Sequence, residues 1–244
     1  MTETVPESSF VPGPPRERRR RRRRGRSTPR SPRARALTAI GCVLLLVGTG
    51  ILAWVGWQFW GTNWVSDRRQ DEVSSLLQDG WSDGSGTVKT DWGEATALLR
   101  VPRFGKNYEV PVLEGSSDEV LAAGVGHMEN TQGPGEQGNY VLAGHRITHG
   151  EPFADLPDLE PGDEVYVETR THVYTYRLDT GGEDLVVPFT ASWVLARFPK
   201  NPDGGVEPPR GVGKRLITLV TCSELFHTDN RSVVFGHLED TVRK

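Results

Sequence analysis

The 244-residue chain has only two cysteines, Cys42 and Cys222, and so few thiols rule out a disulfide-stapled scaffold. Internal repeats are absent, which removes solenoids and propellers. No G-x-x-x-x-G-K-[ST] loop is present, since Gly211-Val212-Gly213-Lys214 lacks the spacing, so a phosphate-cradling nucleotide site is not indicated. His145 and His149 stand four apart, but the segment HRITH lacks the glutamate of H-E-x-x-H, and Gly150 and Pro152 oppose a helix there. No acidic cluster is arranged as a calcium loop. The sequence therefore calls for no metal and no cofactor. Charge is also missing where most chains carry it: from Ala36 to Ser66 no residue is charged.

What is present is strongly asymmetric. Twelve arginines, seven of them consecutive from Arg18 to Arg24, face only Glu3, Glu7 and Glu17 upstream of Ala36. That is a net +9, against −12 for the remainder. Residues 1–35, with almost nothing apolar to bury, are expected to be a disordered basic tail. The run from Leu37 to Val55 is apolar over a length that spans about 30 Å as a helix, and Trp54, Trp57, Trp60 and Trp64 follow at its far end. Residues 36–60 are thus expected to be a membrane anchor. A cleaved signal peptide is the alternative, but the run exceeds a usual signal core and no A-x-A-like site follows it. The positive-inside rule puts the amino terminus in the cytoplasm and everything after Trp64 outside, a single-pass topology at the cell membrane. In that setting the arginines orient the chain, and nucleic acid is not an expected partner.

Residues 61–94 are polar, with Gly80, Gly84 and Gly86 close together and one short helical pattern from Val73 to Leu77, and read as a stalk or linker. Residues 95–244 change texture to short β-type runs separated by turn signals. Eight strands are expected: Ala97–Val101, Tyr108–Leu113, Tyr140–Ala143, Glu164–Thr169, Val173–Asp179, Ser192–Arg197, Leu216–Thr221 and Ser232–Leu238. A helix is expected from Ser117 to Gly124 with Ser116 or Ser117 as its cap, and a short turn near Pro152–Leu156. The fold class is mainly β, a barrel or sandwich with a few short helices after one transmembrane helix.

Chemistry concentrates around Cys222, the one cysteine outside the apolar span. A lone thiol in an oxidising exterior is either buried or used. It ends the β-branched run LITLVT, and Arg231 opens the next strand across an eight-residue loop that carries His227. A hairpin would bring Cys222 and Arg231 to one rim, where a guanidinium stabilises a thiolate and an oxyanion. An acid–base partner is needed for a leaving amine, and His145, after the short strand in NYVLAGHR, is the best placed of six histidines.

These residues resemble a known pattern. The run LITLVTC, with Arg231 nine positions after Cys222 and LAGHR ending 76 positions before it, is similar to the sortase family of cysteine transpeptidases, over roughly Ala97 to Leu238. LAGHRITHGEPFADLPDLEPGDEV is most like the class E, housekeeping-type group of high-GC Gram-positive bacteria. The resemblance implies the eight-stranded sortase β-barrel, with His145, Cys222 and Arg231 as the catalytic trio and Thr221 helping to position at the cysteine. It further implies cleavage of the Thr–Gly bond in an LPxTG or LAxTG sorting signal through a thioacyl-enzyme. The partners implied are secreted proteins bearing such signals and a lipid-linked peptidoglycan precursor that supplies the amine. Two other readings of the residues stay open: a membrane-tethered thiol peptidase that hydrolyses, and a non-catalytic barrel that binds wall peptides. An Asp-Pro-aromatic lid of the pilin-polymerising kind is not found in residues 67–92.

Overall fold

A computed structural model describes residues 32–57, 61–222 and 229–244. The expected basic tail therefore lies almost wholly outside the described residues, as do Trp60 and the loop holding His227. Helix α1, Pro32–Gly56, contains the stretch Ala36–Gly56, which is long and apolar enough to cross a membrane and has none of its surface buried against protein. Its leucines, valines and isoleucines point outward, as a helix solvated by hydrocarbon requires.

The barrel follows from ten strands, β1 (Val88–Thr90), β2 (Gly93–Arg100), β3 (Val110–Glu114), β4 (Val125–His127), β5 (Gly138–Ala143), β6 (Glu164–Glu168), β7 (His172–Leu178), β8 (Val186–Pro188), β9 (Arg215–Cys222) and β10 (Asn230–Arg243). Pairing runs β2-β3-β4-β5-β9-β10-β7-β6 and closes where Leu98–Arg100 of β2 meet Tyr166–Glu168 of β6. The result is an eight-stranded closed barrel. Strand β1 lies on the part of β2 that β6 leaves free, and β8 extends the start of β10. Two neighbour pairs, β3–β4 and β5–β9, are parallel, and the rest are antiparallel. Closure leaves few strand edges exposed, which matters for a short-stranded β protein.

Alternate residues fill the interior: Ala97 and Leu99 of β2 and Val101 just after it point in, as do Ile217 and Leu219 of β9, to meet Tyr140, Leu142, Phe153 and Tyr176. The outer faces are also covered. Behind β9 and β10, Val233 and Phe235 pack with Leu185, Val187 and Val194. Both faces of β9 are therefore dry, and this is why LITLVT reads as a continuous apolar run rather than an alternating one.

The barrel departs from sequence expectation in three places. Residues 192–195 are a 3-10 helix rather than a strand. Their neighbourhood has no ladder to join, because the buried Asn139 side chain donates to the carbonyls of Val194 and Ala196 at 3.0 and 3.2 Å and accepts from Thr218 Oγ1 at 2.7 Å. The eighth barrel strand is instead β4, three residues long and too short to show alternation. It begins soon after helix α3, Asp118–Leu121, which Ser117 caps and which ends before the expected Gly124. Gly124 serves close approach, since a Cβ there would lie 2.4 Å from the Pro111 carbonyl.

The third departure is the segment read as linker. Helix α2, Thr62–Ser82, fills most of it, and β1 follows. Its buried stripe is Ser66, Gln70, Val73 and Leu77, with Trp81 partly buried, a helical spacing whose first two members are polar. Polar residues at buried positions hide a helix from a hydrophobic-periodicity reading. Val73 and Leu77 cover Ala95 and Leu98 of β2, Leu113 of β3 and Val120 of α3. A fully buried leucine contributes about 2 to 3 kcal/mol by area, so α2 is part of the folded domain's core. Leu77→Ala should destabilise the protein by about 2 to 5 kcal/mol, whereas Leu76→Ala, on the exposed face of the same turn, should change stability by less than about 0.5 kcal/mol. Urea unfolding of the detergent-solubilised chain, followed by tryptophan fluorescence, checks both.

Candidate active site

Three strand ends meet at one rim of the barrel. Strand β9 runs parallel to β5, with Val220 level with Ala143, and Cys222 and His145 each follow two residues further along these neighbouring chains. Strand β10 runs antiparallel to β9 with Arg231 directly opposite Cys222, and β8 sets Val187 on the other side of Arg231. The backbone thus brings His145, Cys222 and Arg231 together, with the cysteine on the middle strand. The Cys222 side chain lies outside the described set, so its placement here is that of its backbone.

The parallel pairing extends past the last regular residue of β5. Gly144 N–H donates to the Val220 carbonyl at 3.1 Å, and the buried Thr221 hydroxyl donates to the Gly144 carbonyl at 2.8 Å. Thr221 therefore ties the residue before Cys222 to the residue before His145. Gly144 has to be glycine for packing: a Cβ would come within 2.8 Å of the Phe153 ring. Phe153, fully buried, donates its N–H to the His145 carbonyl at 2.9 Å. The chain on both sides of the imidazole is thereby pinned.

His145 is half-buried, and its ring lies 5.1 Å from that of His149, centroid to centroid. Burial, and then the neighbouring His149, push its pKa below the ordinary histidine value, while the carboxylate of Asp118 at the start of α3 acts in the opposite sense. Other histidines have structural partners. His127 is held by Glu114 at 2.8 Å and His237 by Asp179 at 2.9 Å. The Arg231 guanidinium sits 5.0 Å from the centre of the Phe189 ring, a cation–π arrangement, and donates to the Asn230 carbonyl at 3.0 Å. Phe189 is 69% exposed although it is a large apolar side chain.

A groove of about 350 Å³ runs along this rim. Its walls are largely apolar, from Leu121, Met128, Val187, Val194, Leu195 and Val220, with Asp118 and Arg231 also lining it. Such a shape suits an extended peptide whose side chains are apolar and whose backbone meets the Arg231 guanidinium. Sequence reading did not find Asp118, the facing role of His149, or Phe189. Asp118 is distant in sequence from β10, and only the closed barrel sets it in one groove with Arg231, whereas His149 follows His145 by four residues in the same loop.

The sortase-domain family model matches residues 99–239, the stretch that holds His145, Cys222 and Arg231. The chain belongs to the sortase family. Within it the resemblance is to class E. Sortase SrtE1 of Streptomyces coelicolor is 34% identical over 212 residues, 83% of this chain and 57% of that protein. Sortase SrtE2 of the same organism is 30% identical over 234 residues, 88% of this chain and 87% of that protein. The solved sortase E of Streptomyces avermitilis is 36% identical, with a TM-score of 0.53, and the match covers 64% of this chain and 93% of that one.

The electrostatics of His145 have a measurable sign. Its imidazole should titrate below about 6.5, and Asp118→Asn, which removes the one carboxylate that favours the charged form, should lower the midpoint further. Histidine NMR through a pH series reads both. A midpoint that rises in Asp118→Asn would contradict the assignment of Asp118 as the opposing charge.

Proposed function

We propose that this chain is a membrane-anchored cysteine transpeptidase that joins secreted proteins to the cell wall. The observation that supports the proposal is the register: Cys222 pairs opposite Arg231, and Val220, two residues before it, pairs with Ala143, two residues before His145. Thiol, guanidinium and imidazole on three adjacent strand ends form the minimum set for acyl transfer from an amide to an amine.

In this reading the Cys222 thiolate attacks the threonine carbonyl carbon of an LPxTG or LAxTG-like sorting signal lying in the groove. The carbonyl π electrons move to oxygen, and Arg231 donates hydrogen bonds to that developing oxyanion. Collapse re-forms the carbonyl and breaks the C–N bond as protonated His145 gives its proton to the departing glycine amine. The product is a thioacyl-enzyme, and neutral His145 then takes a proton from the incoming amine as its nitrogen attacks the thioester. The cysteine leaves as thiolate, and both groups return to their starting charges. Thr221, through Gly144, holds the two strand ends at the spacing this exchange requires. The stacking of Arg231 on Phe189 limits the rotamers of a long side chain, so its donors are already oriented.

The apolar span 36–56 and the arginines before it support anchoring with the amino terminus inside and the barrel outside. There the enzyme would meet translocated proteins and a lipid-linked peptidoglycan precursor whose amine completes the transfer. Hydrolysis by a thiol peptidase is the neighbouring reading, and the response to an added amine separates the two.

Incubation with sorting-signal peptides and an amine acceptor should give a peptide adduct on Cys222 and a transfer product by mass spectrometry. Cys222→Ala should abolish both. Arg231→Lys should lower kcat/KM by about 10²- to 10³-fold, because a point charge does not reproduce the paired donors of a guanidinium. Release of free acid alone, unchanged by rising amine concentration, would favour the peptidase.

A further inference from the structure

The loop that follows His145 is unusually strained. Thr148, His149, Gly150 and Glu151 all have positive φ, at 66°, 55°, 79° and 46°. Three of the four are not glycine, and Thr148 is β-branched, for which the left-handed region is a marked outlier. Each such residue costs on the order of 1 to 3 kcal/mol and persists only where its surroundings impose it.

The restraint comes from the first turns of α2. Asn63 Nδ2 donates to Glu151 Oε1 at 2.7 Å, and Gly150 N–H donates back to Asn63 Oδ1 at 3.1 Å. The same Glu151 oxygen accepts the Thr148 N–H at 3.2 Å, so a single carboxylate ties both ends of the strained run to one asparagine. Gly150 rests on the helix: a Cβ there would be 2.3 Å from Gln70 Nε2 and 3.1 Å from the Ser66 Cβ, both residues being buried. Asn63 stands seven residues after Gly56, the last residue of α1. At the other end of this chain of contacts the His149 ring lies 5.1 Å from that of His145.

We propose that Asn63 is a positioning residue for His145, acting through the clamped 148–151 loop, so that the first turn of α2 is part of the working apparatus of the site. The inference rests on the reading of His145 as the acid–base group. Released from Asn63, the loop relaxes toward ordinary backbone angles, His149 withdraws, and His145 is left more open to water. Both changes favour the imidazolium. The titratable groups that face His145 are His149 from its own loop and Asp118 from α3. Beside the loop, Glu151 interacts with Asp67 of α2, whose pKa is raised by burial and by the carboxylates Asp71 and Glu151. On the neighbouring strand ends stand Cys222 and Arg231.

The test uses the full chain in detergent micelles and three variants. Asn63→Ala removes both clamp bonds. Asn63→Asp keeps the acceptor for Gly150 but sets a carboxylate against Glu151. The double variant Asn63→Asp with Glu151→Gln reverses the direction of the side-chain bond and restores the pair. Histidine NMR should show the His145 midpoint displaced upward by about half a pH unit or more in Asn63→Ala. The pre-steady-state acylation rate should fall about tenfold in both single variants with little change in KM for the sorting peptide, and the double variant should recover toward wild type. Wild-type titration and acylation in both single variants would overturn the proposal. So would an equal loss in all three, which would mark Asn63 as merely structural. The titration is independent of turnover, so a fully active His145→Ala would remove the catalytic reading of His145 and leave the clamp standing.

Discussion

Everything at the rim depends on the parallel pairing of β5 with β9. Parallel strands finish at the same end of a sheet, so residues that follow their last paired positions leave from the same rim, as His145 and Cys222 do beyond Ala143 and Val220. An antiparallel neighbour delivers the beginning of its strand to that same end, which is how Arg231 reaches Cys222. A slip of one residue in either pairing would turn side chains to the opposite face and separate the three groups. Two buried side-chain bonds resist such a slip, Thr221 to Gly144 near the rim and Thr218 to Asn139 deeper in. Each joins the same two strands, and each leaves an unsatisfied buried group if broken, a cost of about 1 to 3 kcal/mol.

A register is only as firm as the packing on either side of it. The barrel interior presses on one face of β9 and β10, and the 185–195 segment on the other, through Leu185, Val187 and Val194 against Val233 and Phe235. Asn139 joins that outer segment to the strands by holding the carbonyls of Val194 and Ala196. The wall of the groove is therefore fastened to the strand that carries the residue before His145. Helix α2 does the corresponding work on the far side of the barrel, closing over β2 and β3 with Val73 and Leu77 while its first turn reaches the loop beyond His145. Site and scaffold share their supports.

Much of this was legible in sequence, for physical reasons that vary by element. The β9–β10 hairpin could be read because a β-branched run, a polar loop and a second β-branched run follow each other directly. The apolar helix α1 could be read because an uncharged run of that length holds no turn or charge that would interrupt it. Strand β4 shows no period over three residues, and Trp193-Val194-Leu195 in the 3-10 turn is as apolar as a strand, so local pattern alone does not tell the two apart. Helix α2 was underestimated because Ser66 and Gln70 occupy its buried stripe. Those polar positions are where the helix meets Gly150, so the feature that hid the helix is the one that connects it to the site. The left-handed run 148–151 had no signal beyond Gly150, because Thr, His and Glu adopt such angles only when tertiary contacts compel them.

The protonation of His145 connects this architecture to the proposed chemistry. The group has to give a proton to a leaving amine and then take one from an incoming amine. Burial and His149 make its charged form a stronger acid, which speeds the first step, but they also make that form scarcer near neutrality. Asp118 offsets part of that scarcity by acting in the opposite sense. A carboxylate in direct contact, such as those that hold His127 and His237, would instead fix the ring in one orientation. The distinction between His145 and those two histidines is thus one of attachment rather than of residue type: its backbone is pinned by Phe153 and by Gly144, while its ring is influenced by charges at a distance and keeps the freedom to exchange its proton.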